Sequence, residues 1–222
     1  MNDCRLVGDD EAVVRGTLYV GLHEFEEMAF LLHLLRPGDT FADIGAGVGA
    51  YTVLASQAVG AITHAVEPNP QRCARLHDNI ALNRMERRIH VHPAESGGAR
   101  LEIDEILGEN VPVALRLDLP QELESTLEGA ACSLASEWMQ AMLVRLPVRS
   151  AARLHVYITT FGFTRTVYDP LTRTLREAGP PVAPFRRRRG GESAPALYVR
   201  DRTWALRRLK SAPPFHTLGQ SI

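Results

Sequence analysis

The residues best suited to chemistry are one acid and three alternating glycines. Asp43 ends an apolar stretch, and Gly45, Gly47 and Gly49 follow it. Glycine has no Cβ, so a turn built from it lets the backbone approach a bound nucleoside closely. Glu67 ends the next apolar stretch, about 20 residues later, where a carboxylate accepts hydrogen bonds from both hydroxyls of a ribose. The pattern predicts a nucleoside-binding turn between a strand and a helix.

The nature of the ligand depends on Asp43. Residues 45–50 also fit the dinucleotide-binding pattern Gly-x-Gly-x-x-Gly/Ala. A carboxylate two residues before the first glycine would lie close to a pyrophosphate and repel it. S-adenosylmethionine carries no phosphate, and its ammonium and sulfonium groups are positive, so the same carboxylate would attract it. The sequence therefore predicts S-adenosylmethionine as the cofactor.

Alternating strands and helices must position this turn. Apolar residues at three- and four-residue spacing predict a helix at 24–35, and Asn69-Pro70 is typical of a helix N-terminus. We expect strands at 40–44, 61–66, 89–91, 111–117 and 142–148, helices at 48–59, 122–134 and 151–160, and an antiparallel pair at 163–168 and 194–199. This order predicts a mostly parallel sheet with helices on both faces.

The organisation along the chain is that of one domain with two extensions. Residues 1–36 lead into the domain with a possible strand at 18–20, residues 37–209 form the domain, and residues 210–222 read as a loosely ordered tail. Residues 101–103 alternate like a strand, and 173–193 read as a long connection between the last two strands.

Two further motifs carry a family resemblance. Glu67-Pro68-Asn69-Pro70 follows the second predicted strand, and Asn79-Ile80-Ala81-Leu82-Asn83 ends the next helix. With Gly21, Glu24 (or Glu27), Pro37-Gly38-Asp39 and the glycine turn, they make residues 19–129 resemble the FkbM-like methyltransferases. The resemblance implies a Rossmann-like class I methyltransferase fold, with a seven-stranded sheet whose last strand is antiparallel. It also implies an enzyme that methylates a hydroxyl of a small metabolite or sugar.

The predicted cofactor site gathers residues from three turns. Asp43, Gly45, Gly47 and Gly49 would hold the methionine end, Glu67 the ribose and Glu95 the adenine amino group, and Ala46, Tyr51, Pro68 and Asn69 complete the set. Glu95 is equally well explained as a solvated acid in a loop. His90 and His92 alternate on one strand without an obvious third ligand, so no metal site is expected.

The acceptor side departs from the family pattern. Where the family has Lys-Ile-Asp-Val-Glu-Gly-x-Glu, this chain has Arg116-Leu117-Asp118-Leu119-Pro120-Gln121-Glu122-Leu123. Asp118 is the candidate catalytic residue, an acid that orients or deprotonates the acceptor hydroxyl. The competing interpretation is that Asp118 caps a helix, since aspartate favours that position.

Composition restricts the partners. The 222 residues carry a formal net charge of -1, so no overall field attracts nucleic acid or an anionic membrane. Three separated cysteines and an acidic N-terminus without a signal-peptide pattern favour a cytoplasmic protein, and no apolar stretch is long enough to span a membrane. The basic run Arg186–Arg189 fits a solvated connection better than a grip on phosphate or RNA.

Two other functions remain open from the sequence. The first is an RNA methyltransferase, because Asn79-Ile80-Ala81-Leu82-Asn83 also occurs in related transfer-RNA enzymes. The second is a catalytically silent protein that binds S-adenosylmethionine, which Pro120-Gln121 in place of the family's Glu-Gly favours.

Overall fold

A computed structural model of the chain describes residues 4–7, 22–94, 100–181, 193–217 and 220–222. The possible strand at 18–20, Gly21, Glu95 and the run Arg186–Arg189 lie outside these residues.

Eight strands form one mixed sheet. They are β1 Thr40–Ile44, β2 Ile62–Val66, β3 Ile89–His92, β4 Ala114–Leu117, β5 Ala141–Pro147, β6 Thr164–Asp169, β7 Thr174–Glu177 and β8 Ser193–Val199. Their spatial order is β3-β2-β1-β4-β5-β8-β6-β7. The first five strands pair in parallel, whereas β8 pairs antiparallel with both β5 and β6, and β7 pairs antiparallel with β6. A mostly parallel sheet that ends in antiparallel strands is therefore confirmed.

Helices cover both faces of this sheet. They are α1 Phe25–Leu34, α2 Ala50–Val53 with a π-helical continuation Leu54–Val59, α3 Pro70–Asn83, α4 Ile103–Leu107, α5 Leu123–Glu128, α6 Ala131–Ala135, α7 Ala151–Thr160 and α8 Arg202–Ser211. Phe30 of α1 and Leu209 of α8 pack with Phe41 of β1 on one face. Ile44 of the same strand faces the other apolar cluster, which α4 to α7 complete. Among the residues described, no helix is long and apolar enough to cross a bilayer.

The sheet has one strand more than the resemblance implied. Residues 173–193 read as a connection, but Thr174–Glu177 within them form β7 at the edge of the sheet. The Asp169 carboxylate accepts the Leu171 amide at 3.0 Å, and Arg173 adopts a left-handed φ of 51°, so the chain turns back tightly after β6. Only Leu175 of β7 is buried, so the strand carries almost no apolar alternation.

The predicted helix at 122–134 is interrupted at Gly129. A Cβ on Gly129 would lie 2.0 Å from the carbonyl oxygen of Leu101, so two backbone segments meet here too closely for any side chain. Asp104 then accepts hydrogen bonds from the amides of Cys132 and Ser133, which begins α6 as a separate helix. Residues 101–103, which alternate like a strand, instead lead into α4.

The predicted loose tail is ordered where the structure describes it. Lys210 belongs to α8, and Phe215 and Ile222 are buried. Their backbones exchange two hydrogen bonds, of 3.0 and 2.8 Å, next to the short strands β9 His216–Thr217 and β10 Gln220–Ser221. Arg173 also donates to the carbonyl oxygen of Ala212 at 2.6 Å. In the described part of this segment, long-range contacts therefore join residues 210–222 to the rest of the domain.

Two asparagines of α3 hold residues 4–7. The Asn83 side chain bonds both the amide and the carbonyl of Arg5, at 2.8 and 2.7 Å. The Asn79 side chain does the same with Val7, at 2.6 and 3.0 Å. Four residues along a helix advance about 6 Å, which is close to the advance of two residues along an extended chain. The distance between Asn79 and Asn83 therefore matches the distance between Arg5 and Val7. This asparagine clamp is a structural role for the motif at 79–83.

Candidate active site

An open cleft lies at the carboxyl ends of β1, β2 and β4. Its volume is about 400 Å³, within the usual range for small-molecule sites. It is lined by six of the residues singled out from the sequence, Gly45, Ala46, Gly47, Tyr51, Glu67 and Asp118. The structure therefore brings together most of the predicted site at the edge of the sheet where open α/β folds bind ligands.

The three glycines of the turn serve different purposes. All have positive φ, of 82° at Gly45, 60° at Gly47 and 91° at Gly49. A Cβ on Gly45 would lie 2.6 Å from the carbonyl oxygen of Asp118, and one on Gly49 would lie 2.6 Å from a methyl group of Leu76. A Cβ on Gly47 would meet no atom within 4 Å. Gly45 and Gly49 thus pack the turn against its neighbours, while Gly47 borders open space.

Glu67 is fixed by the backbone around it. Its Oε2 accepts the amide of Gly47 at 2.6 Å, and its Oε1 accepts the amide of Asn69 at 2.8 Å. Asn69 in turn caps α3 by accepting the amide of Arg72 at 3.0 Å, and half-buried Pro68 lies between the two. Each carboxylate oxygen keeps a second lone pair, so Glu67 can still accept from a ligand in the cleft.

Asp43 lies behind the turn. Its side chain is completely buried, and it accepts hydrogen bonds from the Thr52 hydroxyl at 2.6 Å and from Arg116 at 2.9 Å. The sequence predicts this carboxylate next to the ligand, where its charge would select the cofactor. In the structure Arg116 neutralises that charge, and Asp43 acts on the cleft only through the turn that it supports.

Arg116 connects Asp43 to the cleft. Its guanidinium also donates to the Gly45 carbonyl at 3.1 Å and to Asp118 at 2.5 Å, and it lies 4.2 Å above the Tyr51 ring. Burial disfavours the charged form of Arg116, but the negative charges of Asp43 and Asp118 have the larger combined effect and hold its pKa above the usual value. Arg116 aligns with the lysine of the family's Lys-Ile-Asp motif, and this alignment is the feature of the sequence that could have identified it.

Asp118 bonds two arginines and caps no helix. Its second oxygen accepts Nε of Arg145 at 2.7 Å. The next helix, α5, begins only at Leu123 and has no side-chain cap, so the capping interpretation is wrong. Arg145 lies on β5, and no motif in the sequence indicates its role, because its partners lie 27 and 121 residues away.

Glu24 completes this network from α1's N-terminal side. One oxygen of Glu24 accepts Nη2 of Arg145, and the other accepts the Tyr51 hydroxyl at 2.7 Å. Burial alone would raise the pKa of Glu24, but Arg145, the Tyr51 hydrogen bond and Arg116 together lower it. Glu24 is therefore a charged partner that ties α1 to the cleft.

The structure adds a third imidazole to the two on β3. His64 of β2 lies opposite His90, and its Nδ1 is 3.0 Å from Nε2 of His92. Burial, with the nearby charges of His92 and His90, lowers the pKa of His64 to about 4. In the part of the chain that the structure describes, no three side chains are arranged to hold a metal ion.

The lowered pKa of His64 predicts acid sensitivity. The His64 side chain titrates near pH 6.5 in the unfolded chain and near pH 4 in the folded one, so between these values the unfolded chain binds more protons. The free energy of unfolding is therefore highest above pH 6.5, and it falls by up to about 3 kcal/mol as the pH is lowered towards 4. Urea unfolding at both ends of this range should show a smaller loss in His64→Gln than in wild type. Exposed His77 is the control, and an equal loss in His64→Gln and His77→Gln would contradict the assignment.

Several solved structures with a similar fold are methyltransferases. No family model and no curated protein matches the sequence. A precorrin-6y C5,15-methyltransferase from Geobacter metallireducens is similar with a TM-score of 0.57 and 13% identity, over 90% of this chain and 95% of that one. The METTL16 MTase domain gives 0.54 and 17%, over 88% and 69% of the two chains. An rRNA methylase from Streptococcus thermophilus gives 0.51 and 15%, over 78% and 91%.

These identities are low, so the likeness concerns the fold. It covers most of the chain, and the cleft lies at the carboxyl ends of the strands, where such folds bind ligands. The chain therefore has the Rossmann-like fold of S-adenosylmethionine-dependent methyltransferases.

Proposed function

We propose that the chain is an S-adenosylmethionine-dependent methyltransferase that methylates a hydroxyl of a small metabolite or sugar. The observation that carries the cofactor assignment is the contact between Glu67 and the turn. A dinucleotide-binding turn needs its backbone amides for a pyrophosphate. Here the Gly47 amide donates to the Glu67 carboxylate, whose negative charge repels a phosphate at that place.

The cleft residues fit the proposed cofactor. Gly45, Ala46, Gly47 and Tyr51 line the cleft and would hold its methionine end, while Gly49 shapes the turn and Asp43 supports it through Arg116. Glu67, flanked by Pro68 and Asn69, would accept the ribose hydroxyls through its free lone pairs. Glu95 would contact the adenine, as the sequence suggests. Bound there, the cofactor supplies an already activated methyl group, so the protein's task is mainly positioning.

Asp118 is the proposed acceptor-orienting acid. It lines the cleft at the end of β4, and its two oxygens are held in place by Arg116 and Arg145. A carboxylate fixed in this way can direct an acceptor hydroxyl through its remaining lone pairs. The resemblance to the FkbM-like family supports the acceptor class, and it rests on the motifs at 67–70 and 79–83.

Calorimetry tests the cofactor. We expect adenosylhomocysteine, the demethylated product, to bind in a 1:1 ratio and NAD to give no heat. Both ligands contain an adenosine, so the comparison isolates the pyrophosphate. Tight binding of NAD together with no heat from adenosylhomocysteine would overturn the cofactor assignment.

A silent binding protein is the second candidate. It is favoured by Asp118, since both of its oxygens already bond arginines. Adenosylhomocysteine binding combined with no methyl transfer to any hydroxylated acceptor would select this alternative.

A further inference from the structure

A small recess adjoins the cleft on the side of α1. Its volume is about 20 Å³, enough for one water-sized group such as a hydroxyl. It shares Glu24, Tyr51, Arg116, Asp118 and Arg145 with the cleft. Its remaining lining includes Glu27 of α1 and apolar residues of β5 and β8. The recess is thus continuous with the cleft and accommodates a single polar group.

The acids around this recess differ in their partners. Both oxygens of Glu24 and both oxygens of Asp118 accept hydrogen bonds from neighbouring side chains. Within the described residues, Glu27 forms no hydrogen bond or ion pair with another residue, although it lines the recess. Of the three carboxylates, Glu27 is the one whose oxygens are not engaged by a neighbouring side chain of the described residues.

The environment also separates the two glutamates of α1 chemically. Burial and the charges of Glu24 and Glu26 raise the pKa of Glu27, against a smaller opposing effect of its own amide and of Arg145. The pKa of Glu24, three residues earlier, is lowered. Two neighbouring carboxyl groups whose proton affinities are pushed apart are typical of acid–base sites. Glu24 stays charged as a structural partner, while Glu27, with its raised pKa, is the better suited of the two to take up a proton.

We propose that Glu27 is the catalytic base that removes the proton from the acceptor hydroxyl. This inference rests on the proposed function and names the acceptor group as a neutral hydroxyl held in the recess. The acceptor oxygen forms a bond to the methyl carbon, the carbon–sulfur bond breaks with its electron pair passing to sulfur, and the hydroxyl proton goes to the Glu27 carboxylate. Asp118 orients the acceptor and keeps its arginine partners throughout.

The first test needs no activity. Glutamate labelled with ¹³C at the side-chain carboxyl is titrated by NMR with adenosylhomocysteine present, and the Glu27 signal is assigned by its loss in Glu27→Gln. We expect Glu27 to titrate above the usual value for glutamate, and exposed Glu26, its neighbour on α1, to serve as the internal reference. A Glu27 midpoint at or below that of Glu26 would overturn the proposal.

The second test uses methyl transfer to two hydroxylated probes, methyl glucoside and catechol. We expect Glu27→Gln to lower turnover by about a hundredfold or more, with an unchanged dissociation constant for adenosylhomocysteine. The rate should rise with pH around the Glu27 midpoint in wild type and in Glu26→Gln, and lose this dependence in Glu27→Gln. Glu27→Asp, which keeps a carboxylate, should retain the pH dependence at a reduced rate.

The outcomes separate the two proposals. Absence of adenosylhomocysteine binding in wild type contradicts the proposed function itself. Intact binding with Glu27→Gln turning over within about threefold of wild type removes Glu27 from catalysis and leaves the function standing. If wild type binds the cofactor product but methylates neither probe, the acceptor class is wrong for these probes, and the NMR midpoint decides on Glu27.

Discussion

Replacing Arg116 with methionine should lower the free energy of unfolding by about 3–5 kcal/mol, the usual result of breaking one side of a buried ion pair. Asp43 is completely buried, and without Arg116 its carboxylate keeps, among the residues that the structure describes, only the Thr52 hydroxyl as a partner. The backbone carbonyl of Gly45 and one oxygen of Asp118 lose the same donor. Methionine fills a similar volume, so the expected loss reflects charge and hydrogen bonding and not a cavity.

Urea unfolding of three variants tests this expectation. Arg153→Met removes an exposed ion pair with Glu124 and should change the free energy of unfolding by less than about 1 kcal/mol. Arg116→Lys keeps a positive charge beside Asp43 and should retain part of the stability even if Arg116→Met does not fold. Equal, small losses in Arg116→Met and Arg153→Met would show that Asp43 does not depend on Arg116.

Replacing Glu67 with alanine should weaken adenosylhomocysteine binding by about 2–3 kcal/mol, or roughly 30- to 150-fold. The lost interactions are the charged acceptor for the ribose and the support of the Gly47 and Asn69 amides. Because those amides belong to the turn, we also expect stability to fall, by about 1–3 kcal/mol. Both changes come from the same carboxylate.

Calorimetry and thermal unfolding measure the two effects separately. Glu86→Ala, at an exposed position after α3, is the matched control and should change neither quantity. Unchanged affinity in a folded Glu67→Ala variant would show that Glu67 does not contact the ribose. Weaker binding without any loss of stability would show that the amides of Gly47 and Asn69 find other partners.

Local patterns account for most of what the sequence predicted. The strand β1, its glycine turn and the cap of α3 depend on residues within a few positions of one another, so spacing and residue type suffice. The break at Gly129 depends on a contact with Leu101, 28 residues earlier, about which a periodic pattern carries no information. The edge strand β7 pairs with the strand directly before it, but its single buried residue gives it no apolar alternation to recognise.

The same limit explains why only part of the candidate site could be predicted from the sequence. Asp43 was found, but its partner was not, because Arg116 follows 73 residues later. The pairing of β1 with β4 places the two residues directly opposite each other, so a correct register between the strands would have predicted the ion pair. Arg145 and Glu24 meet only once β5 and α1 are both in place, and no spacing rule connects them.

The asparagine clamp has a consequence for how this segment can evolve. Asn79 and Asn83 read only main-chain groups at residues 5 and 7, as a neighbouring β-strand would. Exposed Arg5 and Val7 can thus vary freely in side-chain chemistry, with proline excluded because it lacks the amide that each asparagine binds. Hydrogen bonds to the main chain alone would also form if the segment were shifted along α3 by two residues. The register is set instead by Cys4 and Leu6, whose side chains point inward and pack against the core. These two side chains therefore supply the sequence specificity that the asparagine hydrogen bonds lack.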